Sequence, residues 1–305
     1  MPKIAISIGD INGVGVQIAL ESHKEISKLC QPIYCVSKTM MLKAAKLLEH
    51  EELELICYET GESFEIAPGV VDEQSGKLSN ESFSSAIALA KQKEVDAIVT
   101  LPIHKKAWEL AGVNYVGHTD MLRDYFKQEA IMMLGCEKLF VALFTEHIPL
   151  KEVASNIELP KLKRFLHSLY QSTQHNHIGV LGLNPHAGDD GVLGDEETII
   201  TQAIDEVNAE LSEAVFFGPL VPDVAFTPKS RATCSMFVAM YHDQGLAPLK
   251  ALYFDEGINV SLSLPIIRTS VDHGTAFDIA YSGSKVNNLS YINAIKAAIG
   301  YSKKQ

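Results

Sequence analysis

The sequence predicts an α/β fold in which helices cover a largely parallel sheet. The first observation behind this prediction is that short apolar runs typical of β-strands alternate with amphipathic helical segments along the chain. The second is the composition, because 47% hydrophobic and 21% charged residues are ordinary for a globular protein with a sizeable core. The third is that no internal repeat or low-complexity tract interrupts the alternation.

The N-terminal part begins with a strand and a glycine-punctuated turn. That turn, Gly9–Gly15, has neither the GxGxxG spacing of a dinucleotide fingerprint nor the GxxxxGK[ST] spacing of a phosphate loop, so we interpret it as a tight strand–helix connection. Apolar spacing and cap residues predict strand Lys3–Ile8, helix Asn80–Lys93 capped by Asn80, strand Ala97–Leu101 stopped by Pro102, and a helix from its cap Thr119 to Phe126.

The remainder of the chain follows the same alternation. Three further strands are predicted at Leu139–Thr145, Ile178–Leu183 and Met236–Met240. Apolar residues at helical spacing predict three helices, marked by Leu162, Phe165, Leu166, Leu169 and Tyr170, by Ile199, Ala203, Ile204 and Val207, and by Leu289, Ile292, Ile295 and Ile299. In an open parallel sheet of this kind, ligands bind beyond the carboxyl ends of the strands.

Charge and cysteine content narrow the class of protein. A net charge of −12 argues against a nucleic-acid surface, so an anionic ligand would need a local basic cluster. The five cysteines include no CxxC pair and have no adjacent histidine or basic residue at Cys136 or Cys234, which predicts reduced thiols in core packing. Neither a signal peptide nor a membrane-spanning run is recognisable, so we expect a cytoplasmic protein with no membrane partner.

Each of the last three predicted strands runs into a polar turn that contains a histidine. These residues are His147, His186 and His242, and their shared position would let three imidazoles reach one crevice. Three neutral imidazoles can hold a divalent ion and leave positions open for substrate oxygens. Asp223 and Asp243 are candidates to orient these ligands. A lone loop histidine is more often a solvated residue, and the pattern by itself leaves both interpretations open.

Candidates for anion binding lie elsewhere in the chain. His118 stands in a turn that enters a helix, where backbone N–H groups favour negative charge, although a simple cap by Thr119 is the alternative. Lys250 and Arg268 could clamp a phosphate or a carboxylate, and the alternative is that both are surface charges. The loop after Arg268 is dense in small polar residues and is typical of a segment that approaches a ligand closely.

These segments resemble the 4-hydroxythreonine-4-phosphate dehydrogenase family of pyridoxal phosphate biosynthesis. The similarity covers nearly the whole chain in the right order, and its two most specific stretches are Tyr-His-Asp-Gln-Gly at 241–245 and Arg-Thr-Ser-Val-Asp-His-Gly-Thr-Ala at 268–276. The other matching stretches are Gly-His-Thr-Asp at 117–120, Leu-Asn-Pro-His-Ala-Gly at 183–188, Gly-Pro-Leu at 218–220 with Asp223 and Phe226, Pro-Leu-Lys at 248–250 and Leu-Pro-Ile-Ile at 264–267.

The resemblance implies roles for individual residues. His147, His186 and His242 match the metal ligands of the family, and the metal is expected to be zinc, magnesium or cobalt. The matches to its substrate-binding residues are His118, Thr119, Lys250, Asn259 and Arg268. We assign NAD or NADP binding to Asp272, His273, Gly274 and Thr275, and we assign Asp223 and Asp243 as catalytic residues that orient a ligand or relay a proton.

The resemblance also implies an architecture. The expected fold is that of isocitrate and isopropylmalate dehydrogenases, with two lobes around a cleft and NAD bound without a Rossmann fingerprint. We expect residues 1–117 and 258–305 to form a lobe with much of the cofactor site, and residues 118–257 to form a lobe with the metal ligands and the dimer interface. The family is homodimeric, so each active site is expected to contain residues of both subunits.

The expected reaction is NAD-dependent oxidation of 4-phosphohydroxy-L-threonine, followed by decarboxylation to 3-amino-2-oxopropyl phosphate. One alternative is a dehydrogenase of a four-carbon sugar-acid phosphate, such as threonate or erythronate 4-phosphate. An alternative from another class is a phosphate acyltransferase, which needs neither the metal nor NAD. The chain departs from the family pattern at Asp10–Gly15, at Ser261–Pro265 and at Ala280–Gly283, and none of these departures includes a proposed metal ligand.

Overall fold

A computed structural model describes residues 1–51 and 53–303 of the chain. The fold divides into two compact units. The first contains Met1–Gln128, Ile258–Val260 and the chain from Leu264 onward, and the second contains Glu129–Gly257 and Ser261–Ser263. Residues 118–128 therefore belong to the first unit, whereas the predicted division placed them in the second lobe. The cofactor and dimer roles assigned to the lobes stay predictions.

The first unit is a parallel α/β layer. Its strands are β1 (Lys3–Ser7), β2 (Gln31–Cys35), β3 (Ile56–Tyr58), β4 (Ala97–Thr100) and β11 (Arg268–Val271), in the order β3-β2-β1-β4-β11. The neighbouring pairs in this order are all parallel. Its helices are α1 (Gly15–Ile26), α2 (Lys38–Leu47), α3 (Glu73–Lys91), α4 (Lys105–Leu110), α5 (His118–Phe126) and α12 (Leu289–Ser302). Strand side chains such as Ile4, Ile6 and Ile98 are fully buried in its core.

The second unit has the strand order β5-β6-β9-β7-β8. These strands are β5 (Ile131–Cys136), β6 (Leu139–Leu143), β7 (Ile178–Leu181), β8 (Phe216–Leu220) and β9 (Met236–Ala239). The helices are α6 (Val153–Asn156), α7 (Leu159–Thr173), α8 (Glu196–Leu211), α9 (Pro222–Ala225), α10 (Pro228–Thr233) and α11 (His242–Tyr253), with a short 3-10 turn at Leu150–Glu152. Strand β10 (Ile258–Leu262) has residues in both units.

The predicted α/β fold with a largely parallel sheet is confirmed. In the second unit, the pairs β6–β9, β9–β7 and β7–β8 are parallel, and the hairpin of β5 and β6 is antiparallel. The predicted strands are present but end one or two residues early, because the polar turns begin sooner than apolar content suggests. Leu162, Leu166 and Leu169 are buried on α7 as their spacing predicts.

Two predicted helix starts are wrong. Helix α3 begins at Glu73 rather than after Asn80, and the side chain of Asp72 caps it by accepting from the Ser75 N–H at 2.7 Å. The added turns contain Gly76, where a Cβ would lie 2.0 Å from the Ala107 carbonyl oxygen, so close packing of α3 on α4 selects glycine inside the helix. Helix α5 begins at His118, and Thr119 does not cap it because the cap residue is Gly117.

Two further observations bear on the class of protein. The five cysteines are free thiols and four of them are buried, as predicted for core packing. Within the described part of the chain, no helix combines the length and apolar character that crossing a bilayer requires.

Candidate active site

Two of the three strand-end histidines lie side by side in the second unit. His147 follows β6 and His242 is the first residue of α11, and their ring centroids are 5.5 Å apart. The Nδ1 atom of His242 is 2.7 Å from Oδ1 of Asp243. A carboxylate at Nδ1 favours the tautomer with its proton there and leaves Nε2 free to coordinate a metal. The contact between Asp243 and His242 is therefore of the kind by which a carboxylate orients a histidine ligand.

The third histidine, His186, stands in the turn after β7, with its side chain exposed. Across residues 1–51 and 53–303, no group of three or more His, Cys, Asp or Glu side chains is arranged to hold a metal ion within one copy of the chain. The structure thus brings His147 and His242 together but does not assemble the predicted triad. The metal role of all three residues stays a prediction.

A glutamine that the sequence analysis missed ties two of these strand ends together. Gln244 accepts a hydrogen bond from the Met240 N–H at 2.7 Å and donates to the Gly182 carbonyl at 2.7 Å. The Met240 carbonyl in turn accepts from the Thr145 hydroxyl at 2.6 Å. The ends of β6, β7 and β9 are therefore linked by one hydrogen-bonded chain. Gln244 lies within the Tyr-His-Asp-Gln-Gly stretch at 241–245, so this motif was the sequence feature from which its role could have been predicted.

The other two predicted site residues of the second unit, Asp223 and Lys250, differ in their exposure and contacts. Asp223 is exposed on α9, which packs against the turn that carries His186. Lys250 is half-buried on α11, and its ammonium lies 6.0 Å from the ring centroid of Phe254. That distance is at the limit of a cation–π contact.

In the first unit, the buried Arg268 lies within electrostatic range of the partly buried His118. Arg268 is 3% exposed, and burial lowers the pKa of its guanidinium to about 9, so it stays charged at neutral pH. His118 packs edge-on against Phe83 and Trp108, with ring centroids 4.6 and 5.6 Å away. Burial and then the charge of Arg268 hold the pKa of His118 well below its ordinary value. Its imidazole is therefore neutral in the ligand-free protein.

Several predicted binding residues have buried polar atoms that lack a hydrogen-bond partner. Among the described residues, these atoms include Nε2 of His118, Oδ1 of Asn259 and Nε2 of His273. Buried polar atoms of folded proteins are nearly always paired, so unpaired ones indicate positions for a ligand or for water. The same holds for Nδ1 of His104, which the sequence analysis missed and whose ring stacks on Phe277 at 5.0 Å.

The predicted cofactor segment packs on the glycine turn after β1. The carbonyl of Thr275 accepts from the Val14 N–H at 3.0 Å, and a Cβ at Gly13 would lie 2.7 Å from the same oxygen. The Asp272 N–H donates to the Ser290 hydroxyl at 3.1 Å, and His273 Nδ1 lies 3.0 Å from the carbonyl of Gly274. The segment is thus anchored through its backbone. Its binding of a nicotinamide cofactor stays a prediction.

Parallel strands that end in turns with imidazoles are typical of an α/β enzyme, because ligands bind beyond the carboxyl ends of such strands. The buried guanidinium of Arg268 and the unpaired buried nitrogen of His118 indicate a small anionic substrate. A family model described as "Pyridoxal phosphate biosynthetic protein PdxA" matches residues 28–298. The chain belongs to this family. The family resemblance found in the sequence is therefore confirmed. The family is one of dehydrogenases, which implies a nicotinamide cofactor.

Individual relatives agree with this assignment. The chain is 60% identical over 298 residues to a protein of Sulfurimonas denitrificans named 4-hydroxythreonine-4-phosphate dehydrogenase, with 97% of each chain covered. It is 55% identical over 303 residues to a protein of the same name from Campylobacter fetus, with 98% of each covered. The crystal structure of 4-hydroxythreonine-4-phosphate dehydrogenase from Klebsiella pneumoniae matches with a TM-score of 0.85 and 32% identity, covering 99% of this chain and 100% of that one.

Proposed function

We propose that this chain oxidises 4-phosphohydroxy-L-threonine with NAD or NADP and decarboxylates the product to 3-amino-2-oxopropyl phosphate, in pyridoxal phosphate biosynthesis. The observation that carries the proposal is membership of the family over residues 28–298. The dehydrogenases of threonate or erythronate 4-phosphate are the second candidate, because a phosphate clamp and a metal would serve them equally. A phosphate acyltransferase is disfavoured, since the family is one of dehydrogenases. A cytoplasmic location stays a prediction.

The residues proposed to hold the phosphate supply the donors that a dianion needs. Arg268 offers a charged guanidinium that is already buried, and a dianion would repay part of its desolvation. His118 is neutral when free, and a phosphate beside it would raise its pKa and favour the form that donates from both ring nitrogens. Thr119, Asn259 and Lys250 complete the proposed set. Binding energy at the phosphate would position the reacting hydroxyl.

The donor chemistry of the three histidines fits a divalent metal. Imidazole nitrogens suit zinc and cobalt in particular, and the 5.5 Å between the rings of His147 and His242 fits two ligands of one ion. Such an ion lowers the pKa of a bound hydroxyl and stabilises negative charge that develops on an adjacent oxygen. Asp243 would hold His242 in the coordinating tautomer, and Asp223 or Asp243 would relay the hydroxyl proton. We propose Asp272, His273, Gly274 and Thr275 as the cofactor contacts.

We further propose a homodimer whose active sites contain residues of both subunits. A homodimer would complete the proposed metal site, because one copy of the described chain brings only two of its three proposed ligands together. A second copy would then supply the remaining imidazole. The self-association also fits the family expectation stated from the sequence.

The decisive experiment measures the absorbance of the reduced nicotinamide. Purified protein with zinc or cobalt is given 4-phosphohydroxy-threonine, threonate 4-phosphate or erythronate 4-phosphate, with NAD and then NADP. We expect turnover with the first substrate and at least about tenfold lower kcat/KM with the other two, since a site built for an amine leaves polar groups unpaired without it. Equal or better turnover of a sugar-acid phosphate would replace the proposal by the second candidate.

A further inference from the structure

The turn that carries His186 has an uncommon backbone. Five consecutive residues, His186 to Asp190, have φ values of 54°, 54°, 81°, 46° and 54°, which all lie in the left-handed region. Only Gly188 among them lacks a Cβ, and L-residues with side chains adopt this region rarely and singly. Local preference cannot produce such a run. Contacts from the rest of the fold must therefore hold the turn in place.

The backbone that leads into this turn, at Leu183 and Asn184, is held by one buried carboxylate, that of Glu197. Its Oε1 accepts hydrogen bonds from the backbone N–H groups of Leu183, at 2.8 Å, and Asn184, at 2.7 Å. Its Oε2 accepts from the Asn184 side-chain amide at 2.9 Å. Glu197 is 8% exposed and stands in the first turn of α8, where negative charge is favourable.

The turn is also shaped around this carboxylate. A Cβ at Gly188 would lie 2.7 Å from Oε2 of Glu197, and a Cβ at Gly182 would lie 3.1 Å from Oε1. Gly182 and Gly188, which lie on either side of His186 in the chain, thus leave the space that the carboxylate fills. Because His186 itself is exposed, the turn, rather than side-chain packing, sets where its imidazole lies.

We propose that Glu197 is a positioning residue, whose buried carboxylate fixes the left-handed turn and so presents His186 for binding a divalent metal ion. The inference rests on the proposed function in one respect, the role of His186 as a ligand. Partners that orient the ligands of a metal commonly change its affinity by about 10–100-fold when they are removed.

The test is calorimetric titration of the metal-free protein with Zn²⁺ or Co²⁺. We expect Glu197→Ala to weaken binding by about 10–100-fold. In Glu197→Gln, the remaining amide oxygen can still accept from both backbone N–H groups, so the loss should stay under about tenfold. The matched control is the neighbouring Glu196→Gln. Its carboxylate contacts the Asn184 side chain at 2.7 Å, whereas the N–H groups of Leu183 and Asn184 donate to Glu197, so the change should alter affinity less than about threefold.

Two further variants separate the possible failures. His186→Ala tests the proposed ligand directly, and unchanged metal binding by this variant would refute the proposed metal site itself. If His186→Ala loses binding while Glu197→Ala binds like the wild type, the positioning role is wrong. Should Glu197→Ala fail to fold, Glu197→Asp keeps the charge but loses reach. Weaker metal binding with faster amide hydrogen exchange at 183–190 then supports the proposal, and wild-type values for both overturn it.

Discussion

The guanidinium of Arg268 donates to the hydroxyl of Thr100 from two of its nitrogens, Nε at 3.1 Å and Nη2 at 2.7 Å. Arg268 begins β11 and Thr100 ends the neighbouring strand β4, and both are buried. The side chain therefore reaches along the sheet toward the carboxyl end of β4. The sequence alone left open whether Arg268 is a surface charge. In the structure its guanidinium is buried and is held in place by the hydroxyl of Thr100.

This relationship makes Arg268 the sharpest test of the phosphate clamp. We expect Arg268→Ala to lower kcat/KM by roughly one and a half to four orders of magnitude, because removing one partner of a buried charged contact costs roughly 2–5 kcal/mol. Arg164→Ala, at an exposed position on α7, is the matched control and should leave kcat/KM within about twofold. Circular dichroism checks that both variants are folded.

The same clamp predicts that unphosphorylated 4-hydroxythreonine is a very poor substrate. A substrate without the dianion cannot make the charged contact with the Arg268 guanidinium that the phosphate is proposed to make. Steady-state kinetics with both compounds makes the comparison. Equal efficiency for the two, or kinetic silence of Arg268→Ala, would show that the phosphate binds elsewhere.

The proposed homodimer can be tested by mixing inactive variants. We expect His186→Ala mixed with His242→Ala to recover about a quarter of wild-type activity after subunit exchange. Half of the dimers are then mixed, and each of these has one intact site. His147→Ala mixed with His242→Ala is the control and should stay inactive, because these two rings lie together in one copy. A fully active monomer at high dilution, identified by light scattering, would contradict the shared site.

The buried carboxyl of Asp10 should make the folding stability of the protein depend on pH. Its carboxyl is fully buried and accepts from the Asn12 N–H at 3.0 Å and the Ser75 hydroxyl at 3.2 Å. Burial, with a smaller contribution from the charge of Asp72, raises the pKa of Asp10 from 3.8 to about 6. Because the folded state binds the proton more tightly than the unfolded state, the contribution of Asp10 to stability is complete below about pH 4 and is lost as the pH rises through about 6.

Asp10→Asn should remove that loss. Relative to the wild type, its free energy of unfolding should rise between pH 4 and pH 7 by up to about 3 kcal/mol, at about 1.4 kcal/mol per pKa unit. Urea unfolding at both pH values measures the difference. Asp205→Asn, at an exposed position, should show no such trend. A gap between Asp10→Asn and wild type that does not change with pH would mean that Asp10 titrates normally.

The left-handed turn predicts opposite effects for one chemical change at two places. Ala187→Gly should stabilise the metal-free protein by about 0.5–1 kcal/mol, since glycine removes the Cβ strain at φ 54° but gains entropy when unfolded. Ala209→Gly, at an exposed site inside α8, should destabilise it by about 1 kcal/mol. Chemical denaturation measures both variants. Destabilisation by Ala187→Gly would mean that the turn is not left-handed in solution.

The sequence by itself determined the class of fold and the family. Alternating strand and helix patterns depend on residues close together in the chain, and so do motifs such as the one at 241–245, which is why both could be identified without coordinates. The same local information placed His147, His186 and His242 after strands β6, β7 and β9.

The tertiary structure decided the features that depend on residues far apart in the chain. The start of α3 follows from packing on α4, and the link through Gln244 joins Met240 and Gly182. Glu197 binds the backbone that leads into a turn disfavoured by local propensity. Arg268 shows the reason most directly. Whether a charged side chain lies in water or inside the fold depends on the neighbours that cover it and on a distant partner such as Thr100, and residue spacing does not encode either.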